Sequence, residues 1–181
     1  MSHIHSPWSP HLPAAMAARP YHTWLRERRS LTARWQRASG AFRVEPVRQA
    51  ICAPFADEYA TLRLPPRQLA QVRDVVLYCR NVPVGFAHTV VPLLPRGPVR
   101  HWLRRLGRRP LGTLLFSHPG FVRLGIEYAA IDPRHPLYRG IYQAAGDARM
   151  ERVYWARRAL FAFGEQRILL TEVFLPAVLA Y

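Results

Sequence analysis

The chain has 181 residues, half of them hydrophobic, enough for one folded domain with a sizeable core. Its 26 basic residues, all arginine, stand against 11 acidic ones and give a formal charge of +15. Two cysteines exclude a disulfide framework and fit a reducing cytoplasm, and no apolar run approaches the length of a membrane-spanning helix.

Residues 1–20 carry His3, His5, His11 and four prolines without a continuous apolar stretch, so they read as a mobile tail rather than a signal peptide. The domain proper is expected over 21–181. Trp24, Leu25, Leu31 and Trp35 recur among arginines at helical spacing, which predicts an amphipathic helix over 21–38. A break near Ser30 is expected, with Ser30 or Thr32 capping a second helix and Gly40 ending it. Residues 42–51 read as a first strand. Pro54 and Leu64-Pro65-Pro66 mark loops around a poorly defined middle segment.

Val72–Cys79 is a clearer strand, with Arg73, Val75 and Leu77 on one face and Val72, Asp74, Val76 and Tyr78 on the other. Asn81-Val82-Pro83 turns the chain and Val84–Val91 returns as the second arm of a hairpin. Pro98–Leu106 suits a helix, with proline in the first turn and Gly107 at its end. Pro110–Phe116 reads as a second short helix or turn, and Phe121–Ala130 as a strand. Residues 131–150 are rich in turn formers. Val153–Phe163 and Arg167–Phe174 make a second hairpin around Gly164-Glu165-Gln166. Early helices and late hairpins together predict a single α+β domain with a mostly antiparallel sheet.

The sequence holds no P-loop, dinucleotide glycine fingerprint or HExxH pair. His101, His118 and His135 lack zinc-site spacing, and Ser117-His118 has no triad context. The arginines are scattered rather than blocked, which points to a compositional preference more than to a polyanionic partner. What remains are ions on strands. Glu172 sits alone in the run Ile168–Pro176, and Arg73 shares a face with Val75 and Leu77. A charge in such a setting is costly unless paired or protonated. Two readings follow: an internal Arg73–Glu172 salt bridge, or a closed pocket holding a carboxylate at one end and a hydroxyl or ether oxygen at the other.

The same residues carry a family resemblance. Val72-Arg73-Asp74-Val75-Val76-Leu77-Tyr78-Cys79 comes first, then Thr89-Val90-Val91-Pro92. Leu106-Gly107-Arg108-Arg109-Pro110-Leu111-Gly112 follows, and last Leu169-Leu170-Thr171-Glu172-Val173-Phe174-Leu175-Pro176. In that order and spacing they resemble the chorismate pyruvate-lyases over residues 21–181. The resemblance implies a mostly antiparallel, six-stranded sheet with helices covering an enclosed ligand pocket. It implies conversion of chorismate to 4-hydroxybenzoate and pyruvate, the first committed step towards ubiquinone, by a cytoplasmic monomer with no metal or organic cofactor. It also implies that Arg73 holds the aromatic carboxylate, that Glu172 meets the ring oxygen, that the Leu111 backbone helps bind the carboxylate and that Leu31 lines the pocket.

Two departures stand out. The family pattern has arginine before Thr-Val-Val-Pro, where this chain has His88, so His88 is expected to take over steering of a second carboxylate if protonated, with Arg123 or Arg157 as substitutes. The second is extra sequence over roughly 131–152, read as a longer lid or a surface loop. Two other classes remain open. The lyase fold resembles the ligand-binding domain of some bacterial transcription regulators, so a non-catalytic binding domain for a small aromatic carboxylate is one. A nucleic-acid binder, suggested by charge alone, is the other, although neither a zinc finger nor an aromatic RNA-binding signature is present.

Overall fold

A computed structural model describes residues 7–145 and 151–181 of the chain. The helices are α1 (His22–Leu25), α2 (Leu31–Ser39), α3 (Glu58–Leu62), α4 (Pro98–Arg105), α5 (Leu111–Ser117) and α6 (Pro136–Ala145). The strands are β1 (Phe42–Cys52), β2 (Ala70–Cys79), β3 (Val82–Pro92), β4 (Phe121–Ile131), β5 (Tyr154–Phe163) and β6 (Gln166–Phe174). They form one sheet in the order β1-β2-β3-β6-β5-β4, antiparallel throughout. Both expected hairpins are present, and the N-terminal and C-terminal halves join where β3 pairs with β6. None of the described helices is long and apolar enough to cross a membrane.

The central strands are buried on both faces, which explains their nearly continuous apolar runs. Because side chains alternate, each strand serves two cores. On one face Val75, Leu77, Leu170 and Phe174 pack under α2, α4 and α5 through Trp35, Leu103 and Leu115. On the other face Val76, Phe86 and Val173 pack under α6 through Leu137 and Ile141.

The break expected near Ser30 is real. Ser30 Oγ accepts the Ala33 N–H at the start of α2, and Gly40 closes that helix at φ 66°, a left-handed geometry that glycine adopts without a Cβ penalty. Trp35 is fully buried and stacked between Trp24 and Phe42, each with ring centroids 5.9 Å away. This aromatic stack fixes α1 and α2 to the sheet.

Three expectations change. Residues 7–20 pack against the domain rather than trailing from it: Trp8 is buried and its Nε1 donates to Asp57 at 2.7 Å, Ser9 bridges Tyr128, and Ala18 is fully buried. Their packing depends on single contacts made far away in sequence, which local composition does not display. The part of the expected tail in residues 1–6 lies outside the described residues. The middle segment contains α3, whose Glu58 is buried. Residues 131–145 hold the helix α6, which contacts β2 and β3 on the face opposite the Arg73 side chain, so this stretch is not a lid over Arg73. Residues 146–150 lie outside the described residues.

Trp35→Ala is expected to lower unfolding free energy by about 3–5 kcal/mol, the range for removing a buried large aromatic ring, as measured by urea denaturation.

Candidate active site

Arg73, Thr89 and Leu170 are direct cross-strand neighbours on β2, β3 and β6, and Glu172 lies two residues further along β6, opposite Ala87. All project to the α2–α5 face. They line one small cavity with Thr32, Val44, Val75, Leu77, Pro110, Leu111 and Gly112. Strand spacing puts the Arg73 and Glu172 Cα atoms about 12 Å apart. The two ions therefore stand at opposite ends, and no Arg73–Glu172 salt bridge forms.

Arg73 is 1% exposed and has no carboxylate partner among the described residues. Its Nη2 donates to the Gly107 carbonyl at 2.9 Å and to the Arg109 carbonyl at 3.4 Å, while Nε has no partner. Burial pushes its pKa down to about 10, which still leaves it charged at neutral pH. A guanidinium held this way satisfies one edge on the turn before α5 and keeps donors free for a planar anion.

That turn also positions Leu111. Proline at 110 sets up α5 without a side-chain cap, so the first N–H groups of the helix, starting at Leu111, have no capping partner. The start of α5 meets the start of α2 closely: a Cβ on Gly112 would lie 3.0 Å from both Ser30 Oγ and Thr32 Oγ1. Glycine is what allows the two helix starts to close over the cavity.

At the other end Glu172 accepts from Arg157 Nε at 2.8 Å, and both side chains are nearly buried. The Arg157 guanidinium thus sits directly on the Glu172 side chain, in the geometry of a charge-assisted hydrogen bond. Arg157 reaches on to the Glu27 carbonyl in the turn between α1 and α2.

Arg73, Leu111 and Glu172 are thus brought together, and two expected residues are not. Leu31 is buried in the core beside the cavity, and its neighbour Thr32 supplies the lining side chain. His88 points through the opposite face. It lies between two acids, with Nδ1 2.5 Å from Asp74 Oδ1 and Nε2 3.1 Å from Glu58 Oε1, although Nε2 is misaligned for a hydrogen bond to Glu58. Its ring stacks on Phe55 at 4.7 Å. The reason is parity: Thr89 faces the cavity, so its neighbour cannot. Burial alone would lower the His88 pKa, but the Glu58 charge and the hydrogen bond to Asp74 outweigh it and lift the value to about 10. His88 is therefore a cation that ties α3 to β2, in the place where the family pattern has arginine.

Sequence reading gave Arg157 only a substitute's part. The signal was the tandem Arg157-Arg158 inside an apolar strand. Adjacent strand residues face opposite ways, and each of these arginines needs a carboxylate. Arg157 takes Glu172, and Arg158 takes Glu127 at 2.7 Å and Asp57 at 3.0 Å.

The architecture is that of an α+β domain with one six-stranded antiparallel sheet. It is similar to PhnF from Mycobacterium smegmatis, with a TM-score of 0.56 at 15% identity, covering 84% of this chain and 66% of that one. It is also similar to the ligand-binding domain of a putative GntR-family transcriptional regulator from Bordetella bronchiseptica, with a TM-score of 0.52 at 13% identity, covering 75% and 86%. At these identities the likeness concerns the fold alone. The sequence is more specific. Residues 7–180 match the family described as Chorismate lyase. A probable chorismate pyruvate-lyase of Dechloromonas aromatica is 49% identical over 156 residues, 86% of each chain. Another, of Ralstonia nicotianae, is 40% identical over 187 aligned positions, covering 100% of this chain and 94% of that one. The chain belongs to the chorismate lyase family.

The His88 cluster gives a signed pH dependence. A folded pKa near 10 against about 6.5 in the unfolded chain adds stability that is complete below pH 6.5 and fades as pH climbs towards 10. Urea midpoints measured across that window are expected to fall more steeply for the unaltered protein than for His88→Arg, whose charge does not titrate there. Equal slopes would show that His88 is not the source.

Proposed function

We propose that the chain converts chorismate to 4-hydroxybenzoate and pyruvate, with Arg73 and Glu172 marking the two ends of the substrate. The observation that carries this reading is a buried guanidinium without a carboxylate partner, sharing one small cavity with the buried Glu172. Family membership supplies the substrate, and the two ends match its chemistry: an anionic carboxylate on the ring and oxygen substituents beyond it.

In this reading Arg73 and the Leu111 N–H bind the ring carboxylate. Glu172, paired with Arg157, hydrogen-bonds the ring oxygen or takes the ring proton as enolpyruvate leaves. The bond from ring carbon to ether oxygen breaks, and its electron pair departs with the enolpyruvyl group. The adjacent ring carbon loses a proton, the ring becomes aromatic, and the released enol takes a proton on its methylene carbon to become pyruvate. Aromatisation drives the step, so positioning in a water-excluding pocket supplies much of the catalysis. These side chains perform the chemistry with general acid–base groups and fixed charges alone.

The cavity volume is about 20 Å³, room for about one water and far below the several hundred Å³ typical of a small-molecule site. Substrate entry therefore requires α2 and α5 to part, and release requires it again. The proposed setting is the cytoplasm, and the proposed state a monomer.

A binding domain without turnover is the second reading, favoured by the fold likeness to regulator domains. It shares the Arg73 anchor but gives Glu172 no chemical task.

Arg73→Ala is expected to weaken 4-hydroxybenzoate and chorismate together, by roughly a hundredfold, as a lost charged hydrogen-bond anchor does. Unchanged product affinity in a calorimetric titration would remove Arg73 as the anchor. Glu172→Gln is expected to keep product affinity within a few-fold while kcat falls by at least about a hundredfold. Normal turnover in that variant would leave Glu172 without a catalytic part.

A further inference from the structure

Chorismate carries two carboxylates, and Arg73 accounts for one. We infer that Arg123 and Arg157, at the Glu172 end of the pocket, bind the second carboxylate, the one on the departing enolpyruvyl group. The inference rests on the lyase reading above and adds a subsite to it.

Placement comes first. Arg157 on β5 is the direct partner of Glu172 on β6. Arg123 on β4 pairs with Phe161, which shares the Arg157 face of β5 because it lies four residues along. Both arginines rise to the same turn: Arg157 Nη1 donates to the Glu27 carbonyl, and Arg123 Nη1 donates to the Arg28 carbonyl at 2.5 Å. Consecutive carbonyls draw the two guanidinium groups together beside Glu172.

Charge and donor count come next. Arg157 contacts one inward carboxylate, Glu172, whose charge Arg123 also feels, and Arg123 further feels the charges of Arg157 and the exposed Arg28. The Glu27 carboxylate is engaged elsewhere, accepting from the Arg29 N–H at 2.8 Å and lying 3.8 Å from Arg34. Burial, then the charges of Arg157 and Arg28, depress the pKa of Arg123, as expected where cations crowd without enough anions. Among the described residues Arg157 Nη2 has no acceptor, and neither do Arg123 Nε and Nη2. Those are donors in the fork geometry that carboxylates accept.

The chemistry fits this location. The enol ether oxygen lies beyond the ring at the Glu172 end, and its carboxylate lies beyond that oxygen. When the ring carbon–oxygen bond breaks, the electron pair moves onto the enolpyruvate oxygen. Two guanidinium groups there stabilise both the carboxylate and the developing oxyanion. Product 4-hydroxybenzoate lacks this carboxylate, so the subsite distinguishes substrate from product. His88 cannot serve the role, since it occupies the other face.

Arg123 also holds the Arg28 carbonyl, so a purely structural strap is the competing account. The two separate cleanly in Arg123→Gln. The subsite predicts that kcat/KM for chorismate falls by roughly tenfold or more, that inhibition by pyruvate weakens, and that 4-hydroxybenzoate affinity stays within twofold with the melting temperature little changed. Arg123→Lys, which keeps the charge, recovers part of the loss. Equal losses for chorismate and 4-hydroxybenzoate, or unchanged chorismate kinetics, would overturn the subsite. If the unaltered protein neither turned over chorismate nor bound 4-hydroxybenzoate, the lyase reading would fall first and the subsite with it.

Discussion

A guanidinium buried without a carboxylate is an expensive arrangement, and much of this fold is built around the one at Arg73. Its β2 position fixes the Cα, and the Gly107 and Arg109 carbonyls fix the head. Those carbonyls in turn set the turn that launches α5. The start of α5 then meets the start of α2 over the cavity, at a spacing where a side chain at 112 would crowd Ser30 Oγ and Thr32 Oγ1. The charge left unneutralised by the protein is the charge that a bound carboxylate would neutralise.

The two faces of the sheet divide the ionic work. On the α2–α5 face the charges are left partly unpaired: Arg73 at one end, and an arginine surplus around Glu172 at the other. On the α6 face the ions are closed on themselves, with His88 held between Asp74 and Glu58, and Arg158 between Glu127 and Asp57. Adjacent residues Arg73 and Asp74, or Arg157 and Arg158, therefore take opposite roles because a strand alternates its side chains. His88 lies on the structural face, where Asp74 and Glu58 keep the ring charged.

Much of this was legible in the sequence. Strand and turn signals placed all six strands within a few residues, since proline, glycine and alternating patterns act locally. Ser30 and Gly40 marked the helix boundaries through their capping chemistry. The resemblance placed Arg73, Leu111 and Glu172 in one pocket. The errors are instructive in physical terms. His88 was assigned to the pocket although its neighbour Thr89 faces inward, and alternation forbids both. Leu31 was chosen where Thr32 lines the cavity, a one-residue slip on a helix. The α6 segment looked like loop because turn formers dominate its ends, while its apolar stripe of Leu137, Tyr138 and Ile141 is short. Ion pairing across 15 residues or more, as for Arg157 and Glu172, depends on register and leaves no local mark.

The central claim is that this pocket takes chorismate apart rather than merely binding an aromatic acid. Incubation of the purified protein with chorismate, followed by separate quantification of the aromatic product and the keto acid, tests it most directly. Equal amounts of 4-hydroxybenzoate and pyruvate, accumulating over many turnovers, are the predicted result. Tight binding of 4-hydroxybenzoate with no pyruvate formed would contradict it and assign the fold to a binding domain.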